Sequence, residues 1–241
     1  MSGWIQPDWP APPSVKARVT TRAGGVSVGA YAAMNLASHV GDDPAAVAEN
    51  RRRLRAGLPA EPLWLSQEHG SAVVRAEDAA AGVVADAALA RQAGTVCAVL
   101  TADCLPVLLC DDAGTVVAAA HAGWRGLAGG VVEAAVRAMN EPPARLLAWL
   151  GPAIGPQAFV VGSEVRAVFV GQSPAAAAAF AARADGKWLA DLYLLATQRL
   201  QALGVGRVFG GGRCTFLEAD TFYSYRREGA TGRMASLVWL E

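Results

Sequence analysis

The sequence predicts an α/β domain, and three observations carry that expectation. Apolar runs at residues 96–100, 107–110 and 115–120 continue through β-branched and small residues without a polar face, as strands covered on both sides do. Other segments repeat apolar residues at helical spacing, most clearly 188–203, where Leu189, Leu192, Leu195, Ala196, Leu200 and Leu203 precede Gly204. The chain has 241 residues, 53% of them apolar, which suits one large domain or two small ones with a real core.

In chain order, residues 15–20 alternate like a strand and lead into Thr21, Arg22, Ala23, Gly24, Gly25, Val26 and Ser27, where the glycine pair permits a tight, ligand-accessible backbone or simply makes a hairpin turn. Arg22 is either an anion contact or a solvated charge. Asp42 and Asp43 before Pro44 predict a helix N-terminus, with the helix running to Gly57 and Arg51, Arg52 and Arg53 on its wet face. Residues 63–66 form a short apolar strand that ends in Gln67, Glu68, His69 and Gly70, and a strand resumes at 72–75. The run 96–100 ends in Thr101, Ala102, Asp103, Cys104, Leu105 and Pro106; the run 115–120 ends in His121, Ala122, Gly123, Trp124, Arg125 and Gly126. Asp111, Asp112, Ala113 and Gly114 predict the turn between 107–110 and 115–120. Residues 126–139 have helical spacing, stopped by Asn140, Pro142 and Pro143, and 145–150 is a further strand before the rigid loop Gly151–Pro156. Helices are expected at 164–170 and 175–184, a strand at 208–216 and a last strand at 235–240. Arg226, Arg227 and Arg233, near Tyr223 and Tyr225, are wall residues of a polar pocket or rim charges over aromatics.

Composition excludes several functions. Lys plus Arg equals Asp plus Glu at 21 each, so no basic field exists to hold a nucleic acid or an anionic membrane. Residues 1–10 lack a basic flank followed by an apolar core, and the apolar runs are interrupted before they could span a bilayer, so a cytoplasmic protein is expected. Cys97, Cys104, Cys110 and Cys214 lack the density of a disulfide framework and read as reduced thiols.

The chemistry concentrates at strand ends. Two neighbouring strands can bring Cys104 and His121 together, and His69 ends an earlier strand. Two imidazoles and a thiolate match the three protein ligands of a catalytic zinc site, whose fourth position stays open. No C-x-x-C pair occurs, so spacing alone leaves two other readings in place. One is a nucleophilic Cys104 activated by His121 or His69 with Asp103 as orienter; the other is Cys104 as a small buried hydrophobe. Arg125, at the start of the 126–139 helix, is an anion contact beside free helix amides or a partner for a nearby carboxylate.

Taken together, T-R-A-G-G-V-S, Q-E-H-G, L-T-A-D-C-L-P-V-L, H-A-G-W-R-G, G-P-A-I-G-P, C-T-F and F-Y-S-Y-R-R-E-G-A-T-G-R-M resemble the YfiH-type family, long called the laccase-domain or polyphenol oxidase family, in order from about residue 20 to 240. The resemblance implies one domain over 1–241, an α/β fold with mixed β-sheets sandwiched between helices. It implies a zinc site, one ion per chain, on His69, Cys104 and His121. It also implies phosphorolysis of adenosine, inosine, guanosine and methylthioadenosine with inorganic phosphate, deamination of adenosine, and in some bacterial members peptidoglycan editing. Two positions depart from the pattern: Glu68 stands where an apolar residue is usual, and a threonine is replaced near Ala90. Copper ranks below zinc, because a multicopper laccase site needs far more imidazoles than the three histidines present. The expectation is therefore a zinc-dependent purine nucleoside phosphorylase with adenosine deaminase activity. Phosphate falls first to Arg125 and second to Arg22, Asn35, Gln67 and Tyr225 are sugar or base contacts, and Asp103 and Glu68 are possible acid/base groups. The alternatives are a cysteine hydrolase or peptidoglycan-precursor enzyme using Cys104 with His69 and His121, a copper oxidase, and a ligand-binding module without turnover. Sequence does not specify the oligomeric state.

Overall fold

A computed structural model describes residues 3–241; Met1 and Ser2, part of the opening read as lacking a leader, lie outside the described residues. The first half contains β1 (Val15–Val19), α1 (Pro44–Arg55), β2 (Val73–Arg75), β3 (Ala87–Ala90), β4 (Val96–Thr101), β5 (Leu105–Asp111) and β6 (Val117–Ala122). The second half contains α2 (Trp124–Ala128), α3 (Val131–Met139), β7 (Leu146–Leu150), β8 (Val160–Val161), α4 (Ser163–Gln172), β9 (Phe180–Ala182), β10 (Trp188–Ala190), α5 (Leu192–Ala202), β11 (Arg207–Gly210), α6 (Tyr225–Glu228) and β12 (Met234–Leu240).

The strands form a mixed six-stranded sheet in the order β11-β7-β5-β6-β3-β2, a three-stranded sheet β1-β12-β4, and a small sheet β8-β10-β9. β5 explains why the central runs have no polar face. Its Leu105, Val107 and Leu109 pack with Val131 and Val136 of α3, Phe169 of α4 and Leu195 of α5. Its Leu108 and Cys110 pack the other way, against Val15, Val99 and Val238 of the three-stranded sheet. Each such leucine, buried from both the helix layer and the second sheet, contributes about 1.5–3 kcal/mol. The far face of the three-stranded sheet, with Val96, Ala98 and Leu100, is covered by Leu54 of α1 and by Trp64. The layers therefore run helices, six strands, three strands, helix: a single-domain α/β fold with its sheets sandwiched between helices.

Several predicted elements are shorter or different, each for a local reason. The 188–203 segment is a helix only from Leu192, because Asp191 caps it by accepting from the Leu194 amide at 3.0 Å, while Trp188–Ala190 pairs with β8 and β9. Pro174 starts a 3-10 turn, Pro174–Ala179, and the chain then turns into β9 rather than continuing as helix. Gly129 and Gly130, the latter at φ 88, divide the 126–139 helix into α2 and α3. Gly24 and Gly25 do not make a hairpin; Gly25 runs so close to the 33–34 backbone that a Cβ would lie 2.1 Å from the Ala33 carbonyl oxygen. Residues 63–66 make only isolated bridges, Leu63 to Cys97 and Ser66 to Val84, and β11 ends at Gly210, after which residues 211–213 are not strand. All four cysteines are free thiols. No helix among the described residues is long and apolar enough to cross a membrane.

Candidate metal centre

The site lies where the chain passes from one sheet to the other. β4 belongs to the three-stranded sheet and β5 to the six-stranded one, so Ala102, Asp103 and Cys104 are the whole connection between them. So short a crossing forces Asp103 to φ 91, a conformation costing about 1–3 kcal/mol for a residue with a side chain. Its surroundings hold it there. One carboxylate oxygen accepts from Thr215 Oγ1 at 2.7 Å, the other from the Arg226 amide at 2.7 Å, and the Asp103 carbonyl accepts from the Ile154 amide at 2.9 Å. Asp103 thus contacts neither histidine, which removes it as the orienter of a Cys–His pair; Cys104, next to it, is half-buried on the cavity wall.

His121 is near the end of β6, opposite Pro106 of β5 in the antiparallel register. Its Nδ1 meets Asp86 Oδ1 at 2.8 Å, which leaves Nε2 as the atom free to donate electrons to a metal. Asp86, only 2% exposed and one residue before β3, also accepts the His69 amide on Oδ1 at 3.0 Å and the Gly70 and Glu68 amides on Oδ2 at 2.7 and 3.2 Å. One carboxylate therefore orients one imidazole and pins the loop that carries the other. That loop places His69 at φ 60, which three convergent amide bonds to a single anion make tenable. Burial pushes the Asp86 carboxyl up, but His121 and these amides outweigh it and hold the group below the usual carboxylate range.

Cys104 Sγ and His69 Nε2 are 3.6 Å apart, the two imidazoles stand edge to face with centroids 4.7 Å apart, and the donor atoms of all three residues lie within 4.8 Å of one another. Tetrahedral zinc with ordinary Zn–S and Zn–N bonds separates sulfur from nitrogen by about 3.6 Å, so the donor set fits that metal. Gly123 makes room for the arrangement, since a Cβ there would come within 2.8 Å of both Cys104 Sγ and His69 Cδ2. Gly126 does the same for the His69 loop, its missing Cβ facing the Gly70 carbonyl at 2.9 Å. These two contacts explain the glycines of H-A-G-W-R-G. Burial raises the Cys104 thiol, yet the charge of His121 and the hydrogen bonds of both histidines overcome it and favour thiolate, the form that binds metal.

The donors open onto a cavity of about 510 Å³ with Leu100, Ile154, Phe159 and Trp124 on its apolar walls. Asp103, Arg125 and Tyr225 line it, as do Arg226 and Arg233, which are therefore pocket walls whereas Arg227 is not among the lining residues, and His39, to which the sequence gives no role. Gln67 also lines it, but its amide is committed to Leu100, donating to the carbonyl at 2.8 Å and accepting from the N–H at 2.7 Å, so it fastens the His69 loop to β4 and is not free for a substrate. Asn35 is fully buried outside the cavity; its side chain bonds Asp42 and Ala37 and accepts the Arg233 amide at 3.0 Å. Arg22 also lies outside, paired with Glu228 at 3.0 Å and donating to Ala32, so it is no phosphate ligand. Arg125 lies on the Trp124 ring at 4.5 Å, and because α2 has five residues, no long helix stands behind it to supply a field of free amides. Asp86 was overlooked in the sequence because its partners lie far along the chain; an aspartate entering the alanine-rich stretch 85–90 was the only sign of it.

Fold and site together define a mixed α/β protein with a His–Cys–His centre able to hold one metal ion. The chain belongs to the family described as multi-copper polyphenol oxidoreductase laccase, whose model matches residues 16–241. It is 55% identical to a purine nucleoside phosphorylase of Pseudomonas aeruginosa and 54% identical to the purine nucleoside phosphorylase YfiH of Escherichia coli, in each case over 100% of both chains. A crystal structure of a Neisseria meningitidis protein superposes with a TM-score of 0.96 at 54% identity over the whole of both chains. YlmD of Geobacillus stearothermophilus superposes at 0.92 and 31% identity, covering 99% of this chain and 96% of that one. The family description does not fit the ligand supply. Among the described residues one His/Cys/Asp/Glu cluster has metal-binding geometry, and it uses two of the chain's three histidines, too few for a set of copper centres.

Proposed function

We propose that the protein is a zinc-dependent purine nucleoside phosphorylase that also deaminates adenosine. The observation that carries this reading is the opening of the three-donor centre into a cavity with apolar and aromatic walls and three arginines, in a chain similar over its full length to proteins named purine nucleoside phosphorylases.

His69, Cys104 and His121 would hold the zinc, with Asp86 fixing the His121 imidazole and the backbone of the loop that carries His69. When bound, zinc supplies a Lewis acid that makes water or a hydroxyl more acidic at neutral pH. Trp124 and Phe159 offer flat apolar surface to a purine, and a guanidinium of the wall holds inorganic phosphate by charge-assisted hydrogen bonds. In phosphorolysis a phosphate oxygen bonds to C1′ of the ribose as the C1′–N9 bond breaks. The bonding pair leaves on the purine, which takes up a proton. In deamination a water oxygen adds to the ring carbon bearing the amino group, and ammonia departs. The aromatic walls accord with acceptance of several purines.

Incubation with inosine and phosphate is expected to release hypoxanthine and ribose 1-phosphate in equal amounts, and adenosine alone to give inosine and ammonia. Protein purified without added metal is expected to carry one zinc per chain, absent in His69→Ala. Full activity in metal-free protein would sink the zinc reading. One observation favours a second chemistry: the Cys104 thiolate, stabilised by His121, is also the form a cysteine hydrolase acting on peptidoglycan precursors would use. Turnover independent of phosphate and blocked by thiol alkylation would select it.

A further inference from the structure

The cavity wall carries more positive charge than the protein neutralises. Arg125, Arg226 and Arg233 line it, with Asp103 as the one carboxylate among them. Both oxygens of Asp103 are already engaged, by Thr215 and the Arg226 amide. None of the three arginines forms an ion pair among the described residues.

The three are not equivalent. Arg125 and Arg226 are exposed, the first stacked on Trp124 and the second donating Nη1 to the Val160 carbonyl at 2.8 Å, so water screens both. Arg233 is half-buried, directly before β12. Its backbone amide donates to Asn35 Oδ1 at 3.0 Å, and its Nη1 donates to the Thr231 and Gly232 carbonyls at 2.8 and 3.0 Å. Nη1 and the Tyr225 ring, whose centroid is 5.8 Å from the guanidinium carbon, set the guanidinium plane, and among the described residues Nε and Nη2 have no protein acceptor, which leaves one two-donor edge of the fork unused. Burial outweighs the Cys104 thiolate and Asp103, which act on this cation through space without pairing with it, and an oxyanion in direct contact offsets the remaining cost. Burial already works against the charge of Arg233. His39, on the same wall, feels the same field: burial first, then the charges of Arg233 and Arg51, hold its imidazole below the usual histidine range.

We propose that Arg233 is the anchor of a tetrahedral oxyanion subsite, gripping inorganic phosphate by the Nε–Nη2 edge of its guanidinium, and that the exposed Arg125 is not. The assignment of phosphate as the physiological oxyanion rests on the phosphorylase reading, whereas the anchor itself does not need turnover. Phosphate there would share a cavity with the metal donors, so a nucleoside spanning the two would present its ribose to the anion.

The test is calorimetric titration of the whole protein with inorganic phosphate, together with KM values for phosphate and inosine, in wild type, Arg233→Met, Arg233→Lys and Arg125→Met. Arg233→Met is expected to weaken phosphate binding and raise the phosphate KM roughly 10- to 100-fold, with the inosine KM changed less than about threefold. Arg233→Lys, a point charge without the fork, is expected to fall between wild type and Arg233→Met, and Arg125→Met to stay within about threefold of wild type. Phosphate binding unaltered in Arg233→Met, or a larger loss in Arg125→Met, would overturn the proposal. A purely structural role would move both KM values together and lower the melting temperature. If Arg233→Met does not fold, Arg233→Lys decides: a raised phosphate KM at constant inosine KM supports the anchor, and unchanged values overturn it. Wild type that binds phosphate through Arg233 but releases no hypoxanthine would reject the phosphorylase reading and leave the anchor standing.

Discussion

β5 and β6 are joined by a turn at one end and by the metal centre at the other, and a buried aspartate organises each end. At the turn, Asp111, 1% exposed, accepts the Thr115 amide at 2.7 Å, the Thr115 hydroxyl at 2.8 Å and the Val116 amide at 3.0 Å. At the site, Asp86 accepts three amides from residues 68–70 and the imidazole of His121. Both carboxyls lie below the usual range because hydrogen bonds to the anion outweigh the opposing effect of burial. The difference is where the donors come from. Asp111 is satisfied within five residues and closes a hairpin; Asp86 reaches across two loops and so couples distant segments into one site. A local carboxylate stabilises the fold, while a long-range one positions chemistry.

That contrast is open to test, beginning with the largest effect. His69→Ala is expected to abolish metal binding, measured as zinc per chain by elemental analysis, while the circular dichroism spectrum stays native. Asp86→Ala should weaken metal affinity by about 10- to 100-fold in a chelator competition, because the His121 imidazole loses its partner and the loop carrying His69 loses its anchor. Metal affinity equal to wild type in that variant would break the distinction between the two aspartates. Asp111→Ala is expected to do the reverse: about 1–3 kcal/mol less stability on urea unfolding, from three stranded donors, with metal affinity unchanged. The smallest effect belongs to Asp43→Ala, which removes the side-chain cap of α1 on the Ala45 amide at 3.0 Å. It should cost about 1 kcal/mol in the same unfolding assay and leave both substrate KM values as they are, a baseline for purely local loss.

The same distinction marks what was legible in the sequence. The Asp-Asp-Ala-Gly turn, the Asp43–Pro44 helix start and the buried character of β4, β5 and β6 depend on neighbours along the chain, and each is found where expected. His69, Cys104 and His121 were legible as a set because strand ends converge and because their strings resemble a family's. Asp86 was not, and Gln67 and Arg233, readable as a substrate contact and as a pocket wall or rim charge, were not readable in the partners that place them, since those partners are distant in the chain: the His69 loop for the first, Leu100 for the second, Asn35 for the third. Arg22 and Asn35 were misplaced for the same reason, as polar side chains near motif glycines whose true partners are Glu228 and Asp42. The strand Trp188–Ala190 escaped notice because its apolar residues continue the helical spacing of α5.

The double fastening of the His69 loop has a consequence in time. Cys104 and His121 stand at adjoining ends of β5 and β6 and meet when those two strands pair within the six-stranded sheet, whereas the loop that carries His69 is fastened both by Asp86 beside β3 and by Gln67 to Leu100 of β4 in the other sheet. A half-folded six-stranded sheet then offers a metal ion two donors, and the step from two to three, followed as metal uptake during refolding, is expected to report the fastening of the His69 loop between the two sheets.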